Sequence, residues 1–301
     1  MVWRGVLLIA LLWCGQALAV GCEIRFFQAD SRYAYRTQLL QLILDKTRDE
    51  GECTLVPRFT QVTPDRGLLL LQQKRLDLVS MPTTVERERD MRPIKIDIMR
   101  GMLGYRVLLI RKERQAEFAR VTNMAELRHF IMGFGSQWAD LPILEQNGLT
   151  VVPSPQYENL FSMLAKARFD AFPRGLNEAW HEVKERQAAL PELAVESELA
   201  LYYSYPVYFF VNRQDLQLAK RLQHGLDLAL ADGSMRRLFM RYHSGILARS
   251  NISHRRLFML TNTRLPPGTP FPDTSWWLPE AVLPHQGATK LQPVVCTHSG
   301  C

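Results

Sequence analysis

The chain has 301 residues, 47% of them hydrophobic and 22% charged, with no low-complexity tract; this is the composition of an ordinary globular protein and excludes a disordered or fibrous one. A formal charge of +7 favours an acidic ligand or an anionic neighbour, but the Arg residues are scattered and no RNA- or DNA-binding motif occurs, so nucleic acid is not an expected partner. The length allows one large core or two medium ones.

At the amino terminus, Met1 to Arg4 supply positive charge, Val6 to Trp13 an apolar run, and Ala17-Leu18-Ala19 a small-x-small site. Together they predict a secretory signal peptide over residues 1–19, too short to span a membrane, and export of the mature chain. Lipoprotein processing at Cys22 is the competing route, but the preferred Leu is missing three positions upstream. Export permits disulfides. Strand and helix then alternate: a strand at Glu23–Phe27, a helix from about Tyr35 to Glu50 with Leu39, Leu40, Ile43 and Leu44 on one face, a strand at Cys53–Phe59, a helix opened by Thr63-Pro64, and a strand at Asp77–Met81. If the first two strands lie side by side and parallel, Cys22 and Cys53 meet.

The third strand stops at Pro82. Thr83 and Thr84 follow, and Arg87 stands three positions after Thr84, so a hydroxyl, free backbone N–H groups and a guanidinium converge at one strand end. Read alone, the segment favours a capped surface helix with a solvated charge run, Glu86 to Arg89. In its context Thr84-Val-Glu-Arg87 resembles the T-x-x-R turn of bacterial periplasmic solute-binding proteins, specifically the amino-acid-binding family 3, over about Glu23 to Gly245. The resemblance implies a type II periplasmic-binding-protein fold, α/β, with two lobes that each hold a mostly parallel sheet flanked by helices. It also implies that this turn holds a ligand carboxylate.

Downstream, the apolar run Gly101–Arg111 leaves the first sheet. A second strand and helix series follows, with strands at Phe130–Phe134, Thr150–Val152 and Phe169–Pro173 and helices near Ala139–Asn147, Glu158–Ala167 and Leu176–Ala189. Val195–Leu201 and Pro206–Val211 run back. The expected organisation is a first lobe of residues 22–109 plus 206–260, a second lobe of residues 110–205, and crossings near Ile110 and Tyr205 that form a hinge. Helices at Asp215–Leu230 and Met235–His243 pack on the first lobe. Residues 261–301 form a Pro-rich arm and tail, in which Cys296 and Cys301 are expected to close a small loop; with His298 they make an incomplete metal site, and no metal is expected.

Ligands of open α/β sheets bind beyond the carboxyl ends of strands. That rule selects Asp30 and Tyr33 after the first strand, Thr83, Thr84 and Arg87 after the third, and Ser136 in the second-lobe loop Gly133-Phe134-Gly135-Ser136-Gln137-Trp138, whose glycines allow the backbone to approach a ligand. Amino-acid binders carry an acidic residue five positions after the last strand's Asp; here that position is Gly175, beside Arg174. Facing Arg87, Arg174 favours an anion with one or two acidic groups over a simple zwitterion, unless it pairs with Glu178 one turn on, which is alternatively an ammonium site. No H-E-x-x-H, G-x-S-x-G or phosphate loop occurs, no cofactor is expected, and the resemblance implies a binder rather than an enzyme. Its partners would be a small ligand and a membrane transporter or a sensor protein. The enzymatic alternative on this fold is a cyclohexadienyl dehydratase, with Glu178 or Asp30 as general acid or base.

Overall fold

The computed structural model describes residues 22–59 and 62–278. Residues 1–19, expected to be a signal peptide, and Cys296 and Cys301 lie outside the described residues. The first lobe opens with β1 (Cys22–Phe26), α1 (Ala34–Lys46), β2 (Cys53–Pro57), α2 (Pro64–Gln72), β3 (Leu78–Pro82), α3 (Val85–Asp90) and β4 (Met91–Ile94). β1 and β2 are parallel with Cys22 opposite Cys53, and a disulfide joins the two. It closes a loop of 31 residues, which stabilises by roughly 3 kcal/mol through the unfolded chain. On α1, Leu39, Leu40, Ile43 and Leu44 are buried.

The second lobe contains β5 (Tyr105–Arg111), α4 (Gln115–Ala119), α5 (Met124–Leu127), β6 (Met132–Gly135), α6 (Leu141–Gln146), β7 (Val151–Ser154), α7 (Tyr157–Ala165), β8 (Ala171–Gly175), α8 (Ala179–Arg186), β9 (Leu193–Val195) and β10 (Leu199–Tyr202). The chain continues through β11 (Val207–Asn212), α9 (Leu216–Ala231), α10 (Ser234–Ser250) and β12 (Arg256–Met259). Parallel pairing holds where β-α-β units run, as in β6 with β7 and β8. The strands that arrive from the other lobe insert antiparallel: β5 between β8 and β10, and β11 between β3 and β4.

β5 lies wholly in the second sheet, so the chain leaves the first lobe before Tyr105 rather than near Ile110. It returns between Tyr202 and Val207. α9 and α10 pack on α1; Gly225 of α9 sits against Ile43, where a Cβ would lie 2.8 Å from its carbonyl oxygen. β12 then pairs in parallel with β10 of the second sheet. Residues 206–260 are thus not all on the first lobe, and the chain crosses a third time. Among the described residues no helix is long and apolar enough to cross a membrane.

Asp97 ties the first two crossings together. Its Oδ1 accepts from Met99 N at 3.0 Å and from Val207 N at 2.9 Å, and its Oδ2 from Gly101 N at 2.6 Å. Burial pushes this carboxyl up in pKa, against the pull of the three N–H donors. Asp97→Ala would leave three backbone donors without an acceptor; we expect a loss of about 3 kcal/mol in urea unfolding, with faster amide exchange at Met99, Gly101 and Val207. Loss of stability without exchange at these amides would place the role of Asp97 elsewhere.

His243 on α10 is buried against the rings of Tyr35 and Phe239, and its Nε2 has no hydrogen-bond partner among the described residues. Burial, helped by nearby Arg36, pulls the imidazole down to about 4, from an ordinary 6.5. The unfolded chain therefore binds more protons between these values, so stability is complete above pH 6.5 and falls as pH drops toward 4, by roughly 3 kcal/mol. His243→Phe should flatten that part of the melting-temperature profile. An unaltered slope would assign the acid sensitivity to other groups.

Candidate ligand-binding site

Strand ends of the first lobe meet at one place. Gln28, just past β1, bonds across to β3: its Nε2 donates to Ser80 O at 2.7 Å, and its Oε1 accepts from Ser80 N at 2.7 Å and Ser80 Oγ at 2.9 Å. This side-chain amide fixes the two strand ends beside each other. Arg36, in the first turn of α1, reaches Ser80 O at 3.2 Å and lies over the Tyr33 ring at 5.0 Å. Burial pulls the Arg36 guanidinium down, with Tyr33, Asp97 and Glu178 opposing.

Thr84 caps α3, accepting from Arg87 N at 3.3 Å. Val85 N donates to Arg264 O at 3.1 Å. The backbone groups expected to trap an anion are therefore already bonded, and α3 is only 6 residues long. Thr83 is fully buried, with its N–H on Pro206 O and its hydroxyl on Glu88, which makes it a support rather than a ligand contact. Arg87 donates to Pro82 O at 2.6 Å and lines a cavity of about 290 Å³ with Thr84, Gln137, Ala139 and Arg264. Burial pulls it down, and among the described residues no carboxylate reaches it at ion-pair distance. Arg36 is alike in this respect. Asp30, after β1, is exposed.

The second lobe is arranged differently. Arg174, on β8, is buried beneath Trp138, Phe172 and Tyr157, with its guanidinium 4.6 Å from the Trp138 ring. Its Nε and Nη2 bond Glu182 bidentately at 2.8 and 2.5 Å, and Nη2 also lies 3.0 Å from Glu178. It is a paired core cation, not a second jaw for an anion. Arg106 on β5 is paired too, with Asp140 at 2.8 Å, and Asp140 also accepts from Tyr203 Oη at 2.5 Å.

Glu178 remains the group turned outward: its side chain is 40% exposed, and it accepts from Gly175 N at 3.2 Å. Partial burial raises its carboxyl, but Arg174, then Arg106, then that N–H outweigh it, and the net shift is downward. Ser136 is exposed and its N–H bonds Ser154 O at 2.9 Å. The glycines before it serve ring packing, since a Cβ at Gly133 would strike Phe169 and one at Gly135 would strike Trp138. Sequence reasoning missed Arg36, Arg106, Asp140 and Glu182. Arg36 had a usable signal, three residues beyond Tyr33 at the start of the first helix.

Comparison with solved structures decides the fold. A histidine kinase sensor domain with similarity to periplasmic binding proteins aligns with a TM-score of 0.54 at 13% identity, covering 74% of this chain and 96% of that one. An ancestral arginine-binding protein bound to glutamine aligns at 0.52 and 15% identity, covering 74% and 97%. The chain has the type II periplasmic-binding-protein fold. An ancestral amino-acid-binding protein, a precursor of cyclohexadienyl dehydratase, aligns at 0.51 and 13% identity, covering 74% of this chain and 94% of that one. No family model and no curated protein sequence matches this chain. Gln28 lies just past β1, Arg36 in the first turn of α1, Arg87 in α3 and Glu178 at the cap of α8, and among the described residues no group of His, Cys, Asp and Glu is placed to hold a metal.

The pairing of Arg174 is testable. Glu182→Ala should lower unfolding stability by about 3–5 kcal/mol, since it strands a buried cation, whereas Glu178→Ala should cost under about 1 kcal/mol in the same urea titration. Equal, small losses would return Arg174 to the set of ligand contacts.

Proposed function

We propose that this is an exported, periplasmic solute-binding protein that holds a small amino-acid-like ligand between its lobes and presents it to a membrane transporter or a sensor protein. The supporting observation is the polarity of the cleft. Arg36 and Arg87 of the first lobe have no carboxylate at ion-pair distance among the described residues, whereas the second-lobe cations Arg106 and Arg174 are matched by Asp140, Glu182 and Glu178. A ligand carboxylate then belongs with the first lobe and an ammonium group with Glu178, which favours a zwitterion over a dianion. A cavity of about 290 Å³ beside Arg87 suits a small molecule.

We read the protein as a binder rather than a dehydratase: Glu178 is engaged by Arg174 at 3.0 Å and by Gly175 N at 3.2 Å, and Arg174 and Arg106 hold its carboxyl below its ordinary value, which suits a partner for an ammonium group better than a general acid. Turnover of prephenate or arogenate by the purified protein would overturn that reading. In a thermal-shift panel, α-amino acids should stabilise the wild type more than dicarboxylates that lack an amine. Arg87→Ala should weaken binding of the best amino acid at least ~10-fold by calorimetry, and Glu178→Gln should abolish the preference for the amine. An unchanged ranking in Glu178→Gln, or undiminished affinity in Arg87→Ala, would refute the assignment.

A further inference from the structure

After β12, residues 261–264 run from the second lobe to the first. The second-lobe end is firmly held. Thr261 N donates to Asn147 Oδ1 at 2.9 Å, Thr261 O accepts from Gln146 Nε2 at 2.7 Å and Asn147 Nδ2 at 2.9 Å, and Thr263 Oγ1 donates to Gln146 Oε1 at 2.6 Å. Asn262 Nδ2 donates to Ser204 O, in the returning crossing, at 2.9 Å. Arg264 then touches both lobes. Its Nη1 donates to Ala139 O of the second lobe at 3.2 Å; its carbonyl accepts from Val85 N of α3 at 3.1 Å, and its Nη2 lies 3.6 Å from Glu86. Arg264 also lines the same cavity as Arg87 and Gln137.

The segment that follows is fastened near the outgoing crossing. Asp273 pairs with Arg100, Trp277 Nε1 donates to Arg100 O at 2.9 Å, and Trp276 stacks under the Arg100 guanidinium at 4.1 Å and against Phe239 of α10. The four residues are therefore anchored on both sides and have little freedom to swing away when the lobes part.

We propose that residues 261–264 are a strap that biases the lobes toward each other before any ligand binds, with Arg264 as its clasp. Opening the cleft has to break the links from Arg264 to Val85 and Glu86, while those to Gln146 and Asn147 move with the second lobe. The Glu86 pair is exposed and contributes little, so the backbone bond to Val85 carries most of the restraint. Val85 is the first residue of α3, after an extended Thr84, where proline is tolerated. Val85→Pro with Arg264→Ala thus severs the first-lobe end of the strap and leaves α3 able to form.

The strap is tested on the full chain without ligand, so its failure is separate from failure of the solute-binding reading. Small-angle scattering of the wild type should match the compact arrangement, and the double variant should populate open forms about 10-fold more, seen as a larger radius of gyration, with an unchanged helical circular-dichroism spectrum. The same radius in both proteins would overturn the proposal. If the double variant fails to fold, Asn262→Ala with Thr263→Ala, which loosens the other end, should give the same expansion; a radius equal to that of the wild type would again refute the strap.

Discussion

Three backbone N–H groups, drawn from the outgoing and the returning connection between the lobes, converge on the single carboxylate of Asp97. The two segments are thereby held at a common point, and Ile98 N adds a bond to Val207 O beside it. Tyr35 of α1 donates from its hydroxyl to Ile98 O at 2.8 Å, which links the pivot to the helix that carries Arg36. The point that joins the two connections is therefore bonded directly to α1. The position of Arg36 relative to the pivot is set by one helix.

Arg36 and Arg87 in the first lobe and Arg106 and Arg174 in the second are handled in opposite ways. In the second, guanidinium groups are buried under aromatic rings and matched with carboxylates, which is how a protein interior tolerates ions. In the first, Arg36 and Arg87 rest on carbonyl oxygens, dipoles that orient a guanidinium without cancelling its charge. Only the first arrangement leaves electrostatic attraction for a visitor. Glu178 lies where the two regimes meet, shared with Arg174 and still partly open to solvent.

Most of the strand and helix alternation was legible because buried strands such as Leu78–Pro82 and Val207–Asn212 are apolar runs between turn signals. β4 and β12 were not, being four residues long and carrying Arg or Pro on sheet edges. An apolar run also carries no address, which is why Tyr105–Arg111 was placed in passage between the sheets although it is a central strand of the second. For the site, the T-x-x-R turn located Arg87, but the environment of Arg174 was invisible. Its chief partner is eight positions away, beyond the i+4 spacing at which helix pairs are read, and the burying rings come from three separate elements. The glycines at 133 and 135 misled for a related reason, since what approaches them is an aromatic ring from the protein's own core.

The bridge between Cys22 and Cys53 sits at the start of β1, and the amide of Gln28 clasps β3 just past its other end. One strand therefore joins the disulfide to the Gln28–Ser80 contact at the end of β3. Cys53 Sγ also accepts from Arg221 of α9, so the sulfur is a node in the packing of the first lobe as well as a tether. In a reducing compartment the strand would keep only its five ladder positions against β2 and the bonds to β3. Oxidation of these two thiols is thus coupled to the packing of β1, β2 and α9, and without the bridge this edge of the first lobe loses its covalent tether.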